Sequence, residues 1–241
     1  MSADLVALLT DRLQRVLPAC ELGFHALEFD ASSFSLSAFA QAGLELPPSI
    51  ARSVTKRQCE FFFGRLCARE ALQRLGAGIT DVHIGAGREP VWPAGLVGSI
   101  SHTHKSATAV AASGRRCAGI GIDLELLIEP DLVDGILPTV AREGEVALVS
   151  SAATCDTALA LTLIFSAKEA FFKASYGAVK YFFDFSVASV VEVDANAKVV
   201  YLMLNSALDR GFPAGALFPV HYEILNDGSV FTACIRPVET N

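Results

Sequence analysis

The chain reads as an α+β protein, and three observations carry that reading. Apolar residues recur at helical spacing at the start, at Leu5, Leu8, Leu9, Leu13, Val16 and Leu17. A long helical stretch stands in each half, and each leads into strand-like segments. Those strands come in runs instead of alternating singly with helices, which points to antiparallel sheets and away from a regular parallel one.

After the first helix, Glu21 to Phe29 reads as a strand, and Pro47-Pro48 marks a loop ending in Ser49. The spacing predicts a helix from about Ser53 to Leu75, with Gly76 as its C-terminal stop. Arg57, Phe61, Gly64, Arg65, Ala68 and Leu72 fall on one side of it, and Gly64 there lets another backbone or a ligand approach closely. Val82 to Pro93, with Gly85, Gly87, Pro90 and Pro93, is turn-rich and precedes a strand at Gly98 to Ser101. The loop Ser101-His-Thr-His-Lys105 follows. Ala107 to Ala112 and Ala118 to Leu124 then read as strands paired around the turn Ser113-Gly114. Helices are expected over about Pro138 to Val149 and Thr157 to Tyr176. Strands follow at Phe185 to Val193, Val199 to Leu204, Leu217 to Ile224 and Ser229 to Ile235, with Asp227-Gly228 as a hairpin turn between the last two. No low-complexity linker separates the halves, taken as residues 1–120 and 121–241.

With 241 residues, 52% of them hydrophobic, the chain can fill one large core or two small ones. No run approaches the roughly 18–20 uncharged apolar residues that span a bilayer. The opening Met1-Ser-Ala-Asp-Leu-Val-Ala-Leu-Leu-Thr-Asp-Arg12 has acids where a signal peptide would have a basic segment, so a cytoplasmic protein without membrane association is expected. Cys20, Cys59, Cys67, Cys117, Cys155 and Cys234 form no C-x-x-C pair, which argues for free thiols over zinc or a disulfide framework. The net charge of −7 argues against general nucleic-acid binding. Residues 52–74 nevertheless hold Arg52, Lys56, Arg57, Arg65, Arg69 and Arg74 against Glu60 and Glu70. That local excess is either a solvated helix face or a patch for one anionic ligand or partner.

The chemistry concentrates in two segments. In Gly119-Ile-Gly-Ile-Asp-Leu-Glu125, Asp123 and Glu125 are two apart in an apolar strand and so point to one face, about 6–7 Å apart. In Phe165-Ser-Ala-Lys-Glu-Ala-Phe-Phe-Lys173, Glu169 is the natural third acid. Carboxylates about 4 Å apart repel by several kcal/mol at an effective dielectric near 20, so such a group needs a cation or shared protons. Oxygen-only ligation points to magnesium or manganese. Singly, each segment has an ordinary reading: Asp-Leu-Glu as a frayed strand end, Glu169 with Lys173 as an i,i+4 helix pair. Together, and embedded in apolar sequence where unpaired charge is costly, they read as a metal-phosphate site. Lys168 falls within the apolar arc of Leu161, Ile164, Phe165, Phe171 and Phe172. It either snorkels or crosses into a site between the halves.

Five motifs in order resemble the 4′-phosphopantetheinyl transferases of the surfactin-synthetase-activating and enterobactin-synthetase type. They are Lys56-Arg57 with Glu60-Phe-Phe-Phe-Gly-Arg-Leu-Cys-Ala68, Gly87-Arg-Glu-Pro-Val-Trp-Pro93, Ser99-Ile-Ser-His-Thr103, Gly121-Ile-Asp-Leu-Glu125 and Phe165 to Lys173. The resemblance implies two similar α/β halves related by a pseudo-twofold axis, with coenzyme A in the cleft between them, and favours a monomer. It implies transfer of the phosphopantetheine arm to a serine of an acyl or peptidyl carrier protein, releasing 3′,5′-ADP. Carried over by motif, Asp123, Glu125 and Glu169 are expected to bind magnesium, with Glu169 as base and Lys173 on the diphosphate. Lys168 is expected to contact phosphate or order the site. Ser101 and His102 resemble the phosphate-contacting pair, Arg57 and Arg65 the cations for the 3′-phosphate, and Arg88 and Pro90 the adenine-side loop. Glu89 departs from the basic residue that many surfactin-type members carry before that proline. Competing readings are a magnesium-dependent diphosphate or phosphodiester hydrolase and a non-catalytic carrier-binding module.

Overall fold

A computed structural model of the chain describes residues 3–16, 21–209 and 211–238. Leu17 and Cys20 lie outside the described residues, as does the side chain of Leu5. The chain divides into two compact units, Met1–Ala118 with Pro237–Asn241, and Gly119–Arg236. Both combine helices with antiparallel sheet, so the α+β class holds.

The first unit holds α1 (Ala3–Val16), β1 (Leu22–Glu28), α2 (Ser37–Gln41), α3 (Pro48–Ala51), α4 (Thr55–Arg74), β2 (His83–Ile84), β3 (Pro90–Val91), β4 (Leu96–His102) and β5 (Ser106–Ser113). Its main sheet runs β1-β5-β4. Alanines 107, 109 and 111 of β5 make a flat surface on which Cys67, Ala68, Ala71 and Leu72 of α4 are buried. A Cβ on Gly23 of β1 would stand 1.8 Å from the Ala71 carbonyl oxygen, so helix and strand touch backbone to backbone there. At Gly64, expected to admit a backbone or a ligand, the close neighbour is a side chain: a Cβ there would meet Ile100 Cγ2 of β4 at 3.1 Å. Gly76 ends the helix with φ of +76°. The turn-rich stretch folds into the small β2-β3 hairpin.

The second unit takes in most of β6 (Cys117–Glu125), then α5 (Val133–Val140), α6 (Glu143–Ala153), α7 (Thr157–Val179), β7 (Ala188–Asp194), β8 (Val199–Leu204), β9 (Leu217–Ile224) and β10 (Val230–Pro237). Its sheet runs β6-β10-β9-β8-β7. Gly228, at φ +80°, makes the expected β9-β10 turn. Leu161, Leu163, Ile164, Ala167 and Phe171 of α7 share the core with Val200, Leu202 and Val220 of the sheet. Among the described residues no single helix is long and apolar enough to cross a membrane.

Two sequence expectations fail here. The strands at Ala107–Ala112 and Ala118–Leu124 do not pair around Ser113-Gly114. Both edges of β5 are taken, by β1 and β4, and β6 lies beside β10. The single helix expected over Pro138 to Val149 is two helices. Ala141 is extended, at φ −143° and ψ 165°, and the Glu145 carboxylate accepts the Arg142 N–H at 3.1 Å to open α6.

Candidate functional site

The second unit's site is built on direct contact between β6 and α7. A Cβ on Gly119 would stand 2.2 Å from the Ala174 carbonyl oxygen, and one on Gly121 would stand 1.9 Å from that of Ala170. Two strand residues advance about 6.6 Å and four helix residues about 6 Å, so strand and helix keep step as they run in opposite directions. Asp123 and Glu125 continue the glycine face of the strand and therefore arrive beside the earlier turns of α7. Further along, Ile128 N–H donates to Thr162 Oγ1 at 3.0 Å, and Thr162 donates to Ala158 O. Thr232 of β10 donates to Ser166 O at 2.9 Å. Small residues at 158, 162, 166, 170 and 174 thus make a track along α7 for the sheet edge.

Lys173 Nζ lies 2.6 Å from Asp123 Oδ1 and 3.2 Å from Ile122 O. Burial pushes the Glu125 carboxyl up to about 8, aided by the charges of Asp123 and Glu169 and opposed by Lys173. Burial also raises Glu169, which Lys173 lowers and Asp123 raises further. Asp123, Glu125, Glu169 and Lys173 thus share one electrostatic neighbourhood, in which three acids outnumber one cation. Among the described residues no three His, Cys, Asp or Glu side chains are gathered closely enough to hold a metal ion as they stand. The donor chemistry nonetheless fits a hard divalent cation: all donors are carboxylate oxygens, and burial, with neighbouring acid charge, raises the proton affinity of Glu125 and Glu169.

Lys168 neither snorkels nor reaches for a ligand. It is 4% exposed, and its ammonium donates to Val140 O at 2.8 Å and pairs with Glu145 Oε1 at 2.8 Å. The apolar arc around it explains this: a buried ammonium needs a carboxylate, and Glu145, itself 6% exposed, supplies one.

In the first unit, Arg57 Nη1 lies 3.5 Å from His102 Nε2. Arg65 stacks over the Phe61 ring with its Cζ 4.6 Å from the centroid, and donates to His83 O at 3.3 Å. Burial first, and the Arg57 charge second, lower Arg65 to about 10. Arg57 and Arg65 thus bring two guanidinium groups close to His102, with Glu60 3.9 Å from Arg57 Nη1. Ser101 is buried and, as the strand neighbour of His102, turns to the opposite face of β4. Arg88 stands exposed at the tip of the β2-β3 hairpin with φ of +68°, a conformation costly for a side chain with a Cβ, and Pro90 pairs with Ile84 in the hairpin. Arg69 is committed internally, to the carbonyl oxygens of Ala42 and Gly43, so the basic excess of residues 52–74 is only partly a surface patch.

Sequence reasoning missed Gly119, Gly121, Glu145 and Thr162. The glycines had a signal: Gly-x-Gly-x-Asp-x-Glu places all four residues on one strand face. The four-residue spacing of small side chains in α7 was a second. Nothing local marks Glu145 as the partner of Lys168.

A family model for the 4′-phosphopantetheinyl transferase N-terminal domain matches residues 46–112, and one for the 4′-phosphopantetheinyl transferase superfamily matches residues 119–216. Enterobactin synthase component D of Salmonella typhi is 35% identical over 160 residues, which is 66% of this chain and 64% of that protein. The same-named protein of Escherichia coli O157:H7 is 38% identical over 167 residues, 66% of this chain and 73% of its own. The 4′-phosphopantetheinyl transferase Npt of Nocardia iowensis is 40% identical over 126 residues, 52% of this chain and 54% of its own. The chain therefore spans less than two thirds of the length of the first of these relatives.

Proposed function

This chain belongs to the 4′-phosphopantetheinyl transferase superfamily, and on that premise we propose that it moves the phosphopantetheine arm of coenzyme A to a serine of an acyl or peptidyl carrier protein. The observation that carries the proposal is the register of β6 on α7, which brings Asp123, Glu125, Glu169 and Lys173 into one neighbourhood. The Ser Oγ–phosphorus bond forms, the phosphoanhydride bond breaks, and 3′,5′-ADP leaves.

Asp123, Glu125 and Glu169 would hold magnesium, or manganese in its place. When bound, that ion supplies positive charge for the diphosphate oxygens. Glu169, with its proton affinity raised by burial, takes the serine proton at a pH nearer neutrality than an ordinary carboxylate would. Lys173 neutralises the diphosphate and protonates the leaving phosphate. In the first unit, Arg57 and Arg65 take the 3′-phosphate, since guanidinium forks match phosphate geometry, and His102 beside Arg57 contacts phosphate, while Ser101 on the other face of β4 supports the strand. Arg88 and Pro90 form the adenine-side loop. The enterobactin synthase relatives support a peptide-synthase carrier as acceptor. Cytoplasmic action as a monomer belongs to the same proposal.

The test is the intact mass of an apo carrier protein incubated with the chain, coenzyme A and magnesium, beside Glu169→Gln. Gain of the phosphopantetheine mass, lost with chelator and with Glu169→Gln, supports the reading. Coenzyme A cleavage without any gain on the carrier would replace it with hydrolysis.

A further inference from the structure

Lys168 stands next to Glu169 on α7, yet its ammonium points into the protein and not toward a ligand. One carboxylate organises everything around it. Glu145 Oε1 accepts from Lys168 Nζ at 2.8 Å and from Val190 N–H of β7 at 2.9 Å, and Oε2 accepts from Arg142 N–H at 3.1 Å. Lys168 adds the last carbonyl of α5, Val140 O, at 2.8 Å. The end of α5, the start of α6, the middle of α7 and the start of β7 thus meet at one buried ion pair. Burial lowers the Lys168 ammonium, the Glu145 hydrogen bond and charge raise it, and the Arg142 charge lowers it.

This arrangement fixes the rotation of α7 about its own axis. Lys168 and Glu169 are adjacent and about 100° apart on the helix, and Lys173 lies a little over one turn beyond Lys168. A helix turned by the loss of the Lys168 tether would swing Glu169 and Lys173 away from the β6 face that carries Asp123 and Glu125. At Gly119 and Gly121 the β6 contact fixes the distance between strand and helix through Ala170 and Ala174, and the Lys168 tether adds a hold on the opposite side of α7 from the Lys173–Asp123 pair.

We propose that Lys168 is a positioning residue, which through Glu145 and Val140 sets the angle of α7 and so aims Glu169 and Lys173, and that it makes no contact with coenzyme A. The assignment rests on the transferase reading for its purpose but not for its test.

Three variants separate the alternatives: Lys168→Met, Glu145→Met, and the two combined, all studied in the full chain at a temperature where circular dichroism shows each folded. Mn2+ affinity is read by electron paramagnetic resonance, coenzyme A affinity by calorimetry with chelator present, and transfer by carrier mass. Either single variant leaves a buried charge without its partner, whereas the double removes both charges and, with Glu145, the acceptor of the Val190 and Arg142 N–H groups. The expected result is a Mn2+ affinity weakened about tenfold in each single variant and still weakened about tenfold in the double, which lacks the tether as well; recovery in the double would make the single-variant loss an effect of stranded charge and overturn the proposal. Metal-free coenzyme A affinity should stay within about twofold throughout. If Lys168→Met does not fold, the double variant decides by its coenzyme A affinity and Mn2+ affinity. Coenzyme A affinity that falls about tenfold with Lys168→Met and stays low in the double makes Lys168 a ligand contact and overturns the proposal. Unchanged Mn2+ affinity in a destabilised single variant overturns it in favour of a purely structural pair. Failure of the unaltered chain to modify any carrier would overturn the transferase reading, while the Mn2+ and coenzyme A measurements would still decide the role of Lys168.

Discussion

Lys173 Nζ sits 2.6 Å from Asp123 Oδ1, a bond between α7 and β6 across fifty positions of sequence. It places a cation within a neighbourhood of three carboxylates and offsets part of their mutual repulsion.

Replacing Lys173 by Met should therefore cost about 1–3 kcal/mol of stability in the presence of chelator, through loss of a charged hydrogen bond and added repulsion among the acids. Excess Mg2+ should return part of that loss. Urea unfolding of both proteins with and without Mg2+ checks this, and an equal deficit under both conditions would count against a shared charge cluster.

Glu125 has the opposite pH signature to a salt-bridged acid. Its carboxyl is raised from 4.5 to about 8 in the folded chain, so the folded state favours the neutral form. Below about pH 4.5 the group is protonated in both states and nothing is lost. Between there and about pH 8 the unfolded chain ionises first, so this group's contribution falls as pH rises. Thermal midpoints measured with chelator should decline over that window more for the native chain than for Glu125→Gln. A divalent cation should flatten the native profile.

Gly121→Ala should destabilise by more than about 2 kcal/mol, because the new Cβ would meet a backbone oxygen at 1.9 Å and neither backbone can yield without moving the sheet edge off α7. Gly177→Ala, where a Cβ meets nothing within 4 Å, is the comparison and should be neutral or stabilising. Denaturant midpoints of the two variants, read side by side, decide it.

Arg65→Met removes a guanidinium that burial and Arg57 already disfavour, so stability should change by no more than about 1 kcal/mol. Coenzyme A affinity should fall about tenfold or more, with little effect on the analogue lacking the 3′-phosphate. Calorimetry with the two ligands separates these outcomes, and equal losses on both would remove Arg65 from the phosphate subsite.

Much of the fold was legible in the sequence because it depends on local chemistry. The 3.6-residue period and Gly76 marked α4, and the alternation around Asp227-Gly228 marked the β9-β10 hairpin. The charged residues of both units were legible too, since charge inside apolar sequence is conspicuous. Strand partners were not. Ala107–Ala112 and Ala118–Leu124 are equally apolar and a turn signal lies between them, yet β5 finds β1 and β4 while β6 finds β10. Pairing is settled by which strand faces can be packed by a helix, a property of the whole unit.

The sequence by itself determined the element types, the acid pair on one face of β6, and the Glu169 and Lys173 helix that answers it. Only the tertiary structure decided that Lys168 turns inward to Glu145, and that Gly119 and Gly121 bring a strand to within backbone contact of a helix. The physical reason is common to both. Side-chain type and spacing are written locally, but the partner of a buried charge and the closeness of two backbones depend on residues that meet only when the chain has folded.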